Sequence, residues 1–206
     1  MIIDKKNILK SFNQSKKLNI ELGCGPNKKN KNSIGIDILD YESVDIVGDI
    51  FEVLKKIPNN SVKTIFTSHF LEHISDIDNL IKEMHRVLSY DGVIHIVVPH
   101  FSNPFYYSDL THKVFFGLYS FAYYSEHNFK RTVPNYQNLK LFKQESTRLI
   151  FKSYPPRYIR HSFKKILELI FNSCLYMKEF YEENLTFIFP CYEISFTLKK
   201  NFNDDL

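Results

Sequence analysis

An open α/β sheet is the fold class this sequence predicts, and three observations predict it. Short apolar runs at Leu18 to Leu22, Ile34 to Ile38, Val44 to Val47, Val62 to Thr67 and Val93 to Val98 have the length and residue types of buried strands. A helical pattern from Ile77 to Leu88 stands between the last two runs, giving the strand and helix alternation of a layered sheet. The first run ends in Gly23-Cys24-Gly25, at the carboxyl end of a strand, where ligands bind in such sheets.

Taken in order, Ile8 to Lys17 reads as a short helix or an ordered arm, and Leu18 to Leu22 as the first strand. Two glycines one residue apart let the backbone turn sharply and approach a ligand, which a Cβ would hinder. Lys28 to Ser33 is polar, so the helix after Pro26 is expected to be short or irregular. The second strand ends near Asp37, the third is followed by Gly48-Asp49, and Pro58-Asn59-Asn60-Ser61 makes a turn before the fourth. In the helix, Ile77, Leu80, Ile81, Met84, Val87 and Leu88 share one side, and Tyr90-Asp91-Gly92 is expected to stop it. Val93 to Val98, nearly continuous in β-branched residues, suits the middle of a parallel sheet and ends at Pro99. Beyond the aromatic stretch that follows, Leu139 to Lys152 and Leu185 to Lys199 contain strand material. Ile159 to Tyr181, between them, contains one or two helices, so the late strands are expected to pair as an antiparallel edge with a helical insertion.

A chain of 206 residues suits one domain, divided into a cofactor-binding half over 15–100, a lid over 101–135 and the late strands over 136–206. Cys24, Cys174 and Cys191 form neither a disulfide framework nor a paired zinc spacing, which favours a reducing compartment. No apolar run approaches the length of a membrane span and no signal-peptide pattern is visible, so a cytoplasmic protein without membrane insertion is expected. The formal charge of +4 is small and the lysines are scattered, which argues against a nucleic-acid partner. Lys28-Lys29-Asn30-Lys31 and the stretch from Arg157 to Lys165 read as solvated faces.

The chemistry-bearing residues form a series. Lys28 stands where a dinucleotide fingerprint would have its third glycine, and Glu21 is poor company for a pyrophosphate but attracts an ammonium or sulfonium. Asp37 can accept the two hydroxyls of a ribose, and Asp49 an adenine amino group with Ile50 or Phe51 against the ring. His69-Phe70-Leu71-Glu72-His73 has the spacing of one class of zinc peptidases. Such a site needs both histidines on a stable helix, whereas this stretch follows a buried strand directly, so no metal is assigned and Ser68 with His69 is read as the mouth of that strand. The segment from His100 to Lys113 is too polar for core and too aromatic for a solvent loop, as a water-excluding lid would be. Within it His100, Asp109 and His112 are the candidates for proton removal or substrate anchoring. Phe101, Tyr106, Tyr107 and, from the earlier stretch, His73 are the candidates for substrate contact.

The series Ile20-Glu21-Leu22-Gly23-Cys24-Gly25, Gly35-Ile36-Asp37-Ile38, Val47-Gly48-Asp49-Ile50, Ser68 to His73 and Arg86 to Gly92 resembles the class I S-adenosylmethionine-dependent methyltransferases. It is most similar to the small-molecule branch called methyltransferase domain type 11. The resemblance covers about residues 15 to 112. It implies a Rossmann-like, mostly parallel seven-stranded sheet in the order 3-2-1-4-5-7-6, S-adenosylmethionine as cofactor and S-adenosylhomocysteine as product. It also implies that Glu21, Gly23, Cys24 and Gly25 surround the methionine part, Asp37 and Ile38 the ribose, Asp49 and Ile50 the adenine, and Ser68 and His69 the sulfonium side. The expected acceptor is a small molecule, an oxygen or nitrogen nucleophile of a metabolite or activated sugar-type intermediate. A nicotinamide-dependent oxidoreductase and a non-enzymatic interaction module are the rival readings.

Overall fold

Ile20, Leu22, Ile65, Ile94, Ile96 and Val98 are all fully buried, as strands covered on both faces require, and they lie at the centre of one nine-stranded sheet. The computed structural model describes residues 2–13, 15, 17–134 and 140–201. In chain order the strands are β1 (Ile3–Asp4), β2 (Leu18–Leu22), β3 (Ile34–Asp37), β4 (Ile46–Val47), β5 (Val62–Ser68), β6 (Leu88–Pro99), β7 (Ser125–Glu126), β8 (Phe142–Ile150) and β9 (Glu193–Lys200). The helices are α1 (Ile50–Leu54), α2 (Ile77–Val87), α3 (Tyr158–Phe171) and α4 (Leu175–Asn184).

The sheet runs β1-β4-β3-β2-β5-β6-β9-β8-β7, nine strands where seven were expected. The additional strands, β1 and β7, are two residues each and lie at the two edges. Counted without them, the inner strands follow one another as 3-2-1-4-5-7-6. Two-residue pairings carry no alternation signal, which is why the sequence does not announce them. Strands β4, β3, β2, β5 and β6 are parallel, so their carboxyl ends open on one side, and β9 inserts antiparallel between β6 and β8.

Other elements depart from expectation for local reasons. The first helical segment is a single 3-10 turn at Ile8–Ser11. Helix α1 was not anticipated; Asp49 caps it by accepting from the backbone N–H groups of Phe51 and Glu52 at 3.0 and 3.2 Å. Tyr90-Asp91-Gly92 is not a turn outside the sheet but lies within β6, at an irregularity between the pairings Leu88↔Val62 and Val93↔Thr64. Leu139, expected to begin the first late strand, lies outside the described residues; β8 begins at Phe142, and β9 begins only at Glu193. Helix α2 buries Leu80, Ile81, Met84 and Val87, the stripe its periodicity predicts. Helices α3 and α4 lie in the chain between β8 and β9, as the expected insertion. Among the described residues no helix is long and apolar enough to cross a membrane.

Candidate cofactor and acceptor site

Gly23 and Gly25 both adopt left-handed backbone, at φ 61° and 57°. A Cβ on Gly23 would stand 2.3 Å from the Phe70 ring, whereas one on Gly25 would meet nothing within 4 Å. The turn is held from β3: Gly23 N donates to Ile36 O at 2.9 Å, and Gly25 N donates to Asp37 Oδ2 at 2.8 Å. Leu39 N donates to Asp37 Oδ1 at 2.9 Å, which leaves each oxygen a lone pair toward the open space.

That space is a cleft of about 570 Å³ over the carboxyl ends of the parallel strands. Gly23, Gly25, Asp37, Ile38, Asp49, Ile50 and His69 line it, all named from the sequence as cofactor contacts, and so does His73. Sequence reasoning missed Leu39, Tyr41, Phe70, Ile74 and Thr111, which also line it. Ile38 and Leu39 are 69% and 55% exposed, an apolar rim directly after a strand-end aspartate that could have been noticed as a ring-binding feature.

Three expected cofactor contacts are placed otherwise. Glu21 is buried, and its carboxylate accepts from Lys29 N and Asn30 N, both at 2.8 Å, so it anchors the loop after Pro26 rather than facing the cleft. Cys24 is buried against Val44 and Val47, and burial, with Asp37 and Glu21 nearby, pushes its thiol up to about 12, so it is packing. Ser68 ends β5 without lining the cleft.

His69 has positive φ, 53°, an unfavourable backbone for a residue with a Cβ and a signal of functional constraint. Its N–H donates to Val97 O at 2.9 Å, and its Nε2 lies 2.8 Å from Glu193 Oε1 on β9. The Glu193 hydrogen bond, and Glu72 beyond it, push its pKa up to about 9, so the ring is a cation at neutral pH. Lys152 Nζ reaches the same Glu193 oxygen at 2.5 Å. Lys152 in turn lines a second cleft of about 450 Å³ with Arg157, Arg160, Lys164, Tyr154 and Tyr192, whose wall contains no carboxylate. The charged stretch from Arg157 to Lys165, expected to be a solvated face, therefore contributes three cations to a concave surface.

The aromatic segment is tied down rather than free. His100 is fully buried; its Nδ1 accepts from Ser102 N at 3.1 Å and its Nε2 bonds Glu182 Oε2 at 2.9 Å, so it joins the end of β6 to α4 and does not reach the cofactor cleft. Phe101 packs over Gly117 and beside His100, the buried Tyr106 donates to Val114 O at 2.8 Å, and the exposed Tyr107 donates to Phe101 O at 2.7 Å. None of these three lines the cofactor cleft, and Phe105, unpredicted, lines the basic cleft. Asp109 and His112 do approach the cofactor cleft. Asp109 Oδ1 accepts from Thr111 Oγ1 at 2.6 Å, and Thr111 Oγ1 lies 2.9 Å from His73 Nδ1. The His73 and His112 rings are 4.8 Å apart. His69 precedes a single 3-10 turn, Leu71–His73, which His73 ends, so the two histidines do not share a helix as the zinc-peptidase arrangement requires.

Residues 25–96 match the family model described as methyltransferase domain. No curated protein matches the chain by sequence. Among solved structures, an S-adenosylmethionine-dependent methyltransferase from Archaeoglobus fulgidus superposes with a TM-score of 0.56 at 16% identity, over 92% of this chain and 89% of that one. Phosphoethanolamine N-methyltransferase 2 of Haemonchus contortus, in complex with S-adenosyl-L-methionine, gives 0.54 at 14% identity over 94% of this chain and 51% of that one. The MccD protein gives 0.50 at 13% identity over 92% of both chains. These likenesses show the shared fold, a Rossmann-like α/β sheet, and in this chain a cleft opens at the strand ends. The methyltransferase-domain match covers residues 25–96, and the fold is one that S-adenosylmethionine-dependent methyltransferases adopt.

Proposed function

We propose that this enzyme transfers the methyl group of S-adenosylmethionine to an oxygen or nitrogen nucleophile of a small metabolite bearing phosphate, of the activated-sugar type, releasing S-adenosylhomocysteine. The observation that carries the cofactor half is the Gly25 to Asp37 hydrogen bond at the open floor of the cleft. It sets the glycine turn beside the Asp37 carboxylate, to which the ribose hydroxyls are assigned, and Asp49 and Ile50 of the same cleft are assigned to the adenine. Lys28, where a dinucleotide fingerprint has glycine, donates to Ser33 O and pairs with Asp45, which speaks against the nicotinamide reading.

The acceptor half rests on the basic cleft. Lys152, Arg157, Arg160 and Lys164 face a concavity with no carboxylate in its wall, which suits a phosphate-bearing ligand, with Tyr154 and Tyr192 available to a ring. The Glu193 carboxylate, held by His69 of the cofactor cleft and Lys152 of this one, links the two. The reaction is an in-line displacement: the acceptor atom attacks the methyl carbon while the sulfur keeps the electron pair of the breaking bond. The cofactor is already activated, so alignment and exclusion of water are the protein's main contributions. His69, already protonated at neutral pH, is unsuited to be a base, and Asp109 with His112 is the pair assigned to acceptor activation.

Labelled methyl transfer tests this reading, with a panel of nucleoside diphosphate hexoses set against the corresponding neutral sugars. Label is expected in a phosphorylated acceptor. Replacing Arg160 and Lys164 with Ala is expected to raise its KM about tenfold or more while leaving S-adenosylhomocysteine affinity unchanged. Label appearing only in neutral sugars, or a KM indifferent to the double replacement, would overturn the assignment of the basic cleft.

A further inference from the structure

Glu72 carries a fully buried carboxylate, and neither of its oxygens accepts a hydrogen bond. The nearest cationic group is His69, whose Nδ1 stands 3.4 Å from Oε1. Burying a carboxylate without hydrogen bonds is expensive, and the His69 charge beside it is shared with the closer Glu193. One ligand atom from each of Glu72, His73 and His112 lies within 4.8 Å of the other two.

The two rings are also oriented for ligation. Thr111 Oγ1 donates its proton to Asp109 Oδ1, so it accepts from His73 Nδ1 at 2.9 Å. His112 Nδ1 donates to the Tyr106 carbonyl at 2.9 Å. Each imidazole thereby keeps its lone pair on Nε2, the arrangement that outer hydrogen bonds impose on metal-binding histidines. The segment carrying His112 is fastened to Glu72 itself, because Lys113 N and Val114 N donate to the Glu72 carbonyl at 2.7 and 3.2 Å. The spacing of the three side chains is therefore built into the backbone.

We propose that Glu72, His73 and His112 bind one divalent transition-metal cation of the zinc type, leaving an open coordination position toward the cofactor cleft that His73 and Thr111 line. Two imidazoles and one carboxylate suit such a cation, whereas calcium and magnesium favour all-oxygen sets. Asp109 Oδ2, 3.6 Å from His112 Nε2, flanks the site. Bound there, the cation neutralises Glu72 and takes up the His112 lone pair, so that His112 serves acceptor activation through the ion and not as a free base. An acceptor hydroxyl taking the open position loses its proton to water more readily, its oxygen then forms the bond to the methyl carbon, and the sulfur departs as a thioether. This use of the ion rests on the methyl-transfer reading; its binding does not.

Titrating zinc chloride alone into the metal-stripped protein, followed by calorimetry, tests the site, with the visible absorption of a cobalt(II) derivative reporting nitrogen ligation. One equivalent is expected to bind, with affinity reduced about 100-fold or more by His112→Ala and by Glu72→Gln. His95→Ala, a change on β6 where the ring stacks on Phe66, is expected to leave it intact. Should Glu72→Gln fail to fold, His73→Ala gives the same readout. Absence of stoichiometric binding, or binding that survives the His73 and His112 replacements, would overturn the proposal. A parallel titration with S-adenosylhomocysteine separates the two readings: its failure with zinc binding intact removes the methyl-transfer account and leaves the metal site standing.

Discussion

Gly23 and Gly25 share a left-handed backbone and differ in what stands over them. An alanine at Gly23 would drive its Cβ into the Phe70 ring, 2.3 Å away, while one at Gly25 projects into open cleft. Gly25→Ala is therefore expected to cost about 1–2 kcal/mol of stability from backbone strain alone, yet to weaken S-adenosylhomocysteine binding by a larger factor than that stability loss suggests. Gly23→Ala is expected to lower the melting temperature more than Gly25→Ala does, and the reverse order would contradict the reading of Phe70 as the contact. His69 offers a pH test. Its pKa is raised to about 9 by Glu193 and then Glu72, so its contribution to stability is whole below the ordinary value of 6.5 and is lost as pH rises through about 9. His69→Phe should flatten stability over that interval, and a ring titrating near 6.5 by NMR would refute the pairing. The strand-end residues of this site were legible because Gly23, Gly25, Asp37 and Asp49 each sit where a strand stops. His100 reads in sequence as a polar candidate for catalysis, while its partner Glu182 arrives from far along the chain.

At the scale of elements, the insertion of α3 and α4 serves the segment after β6. Glu182 on α4 accepts from Leu118 N at 2.7 Å through one oxygen and bonds His100 through the other at 2.9 Å, and Gly117 leaves room for that carboxylate. Glu182→Ala is expected to destabilise the protein by about 3 kcal/mol, since it orphans two buried groups at once. The check is faster amide exchange at Leu118 together with a lower melting temperature; unchanged exchange would show that the segment is held by other means. The existence of these helices could be read from periodicity. The basic cleft could not, because Lys152, Arg157 and Arg160 converge only when the end of β8 and the start of α3 fold back against Tyr192. In sequence the same residues look like a solvated charge run.

For the whole molecule, sheet topology explains why the two clefts adjoin. Strand β9, the last in the chain, inserts beside β6 and brings Glu193 to the mouth of β5, where it meets His69. Strand alternation made the parallel half legible, but this closure pairs residues more than a hundred positions apart, and local pattern has no access to such pairings. The central claim is that the cleft over Gly25 and Asp37 holds a sulfonium nucleoside rather than a dinucleotide. Calorimetric titration with S-adenosylhomocysteine and, separately, with NADH tests it most directly. One equivalent of S-adenosylhomocysteine is expected to bind, with no heat from NADH and with binding lost in Asp37→Ala. Binding of NADH, or of neither ligand, would contradict the claim.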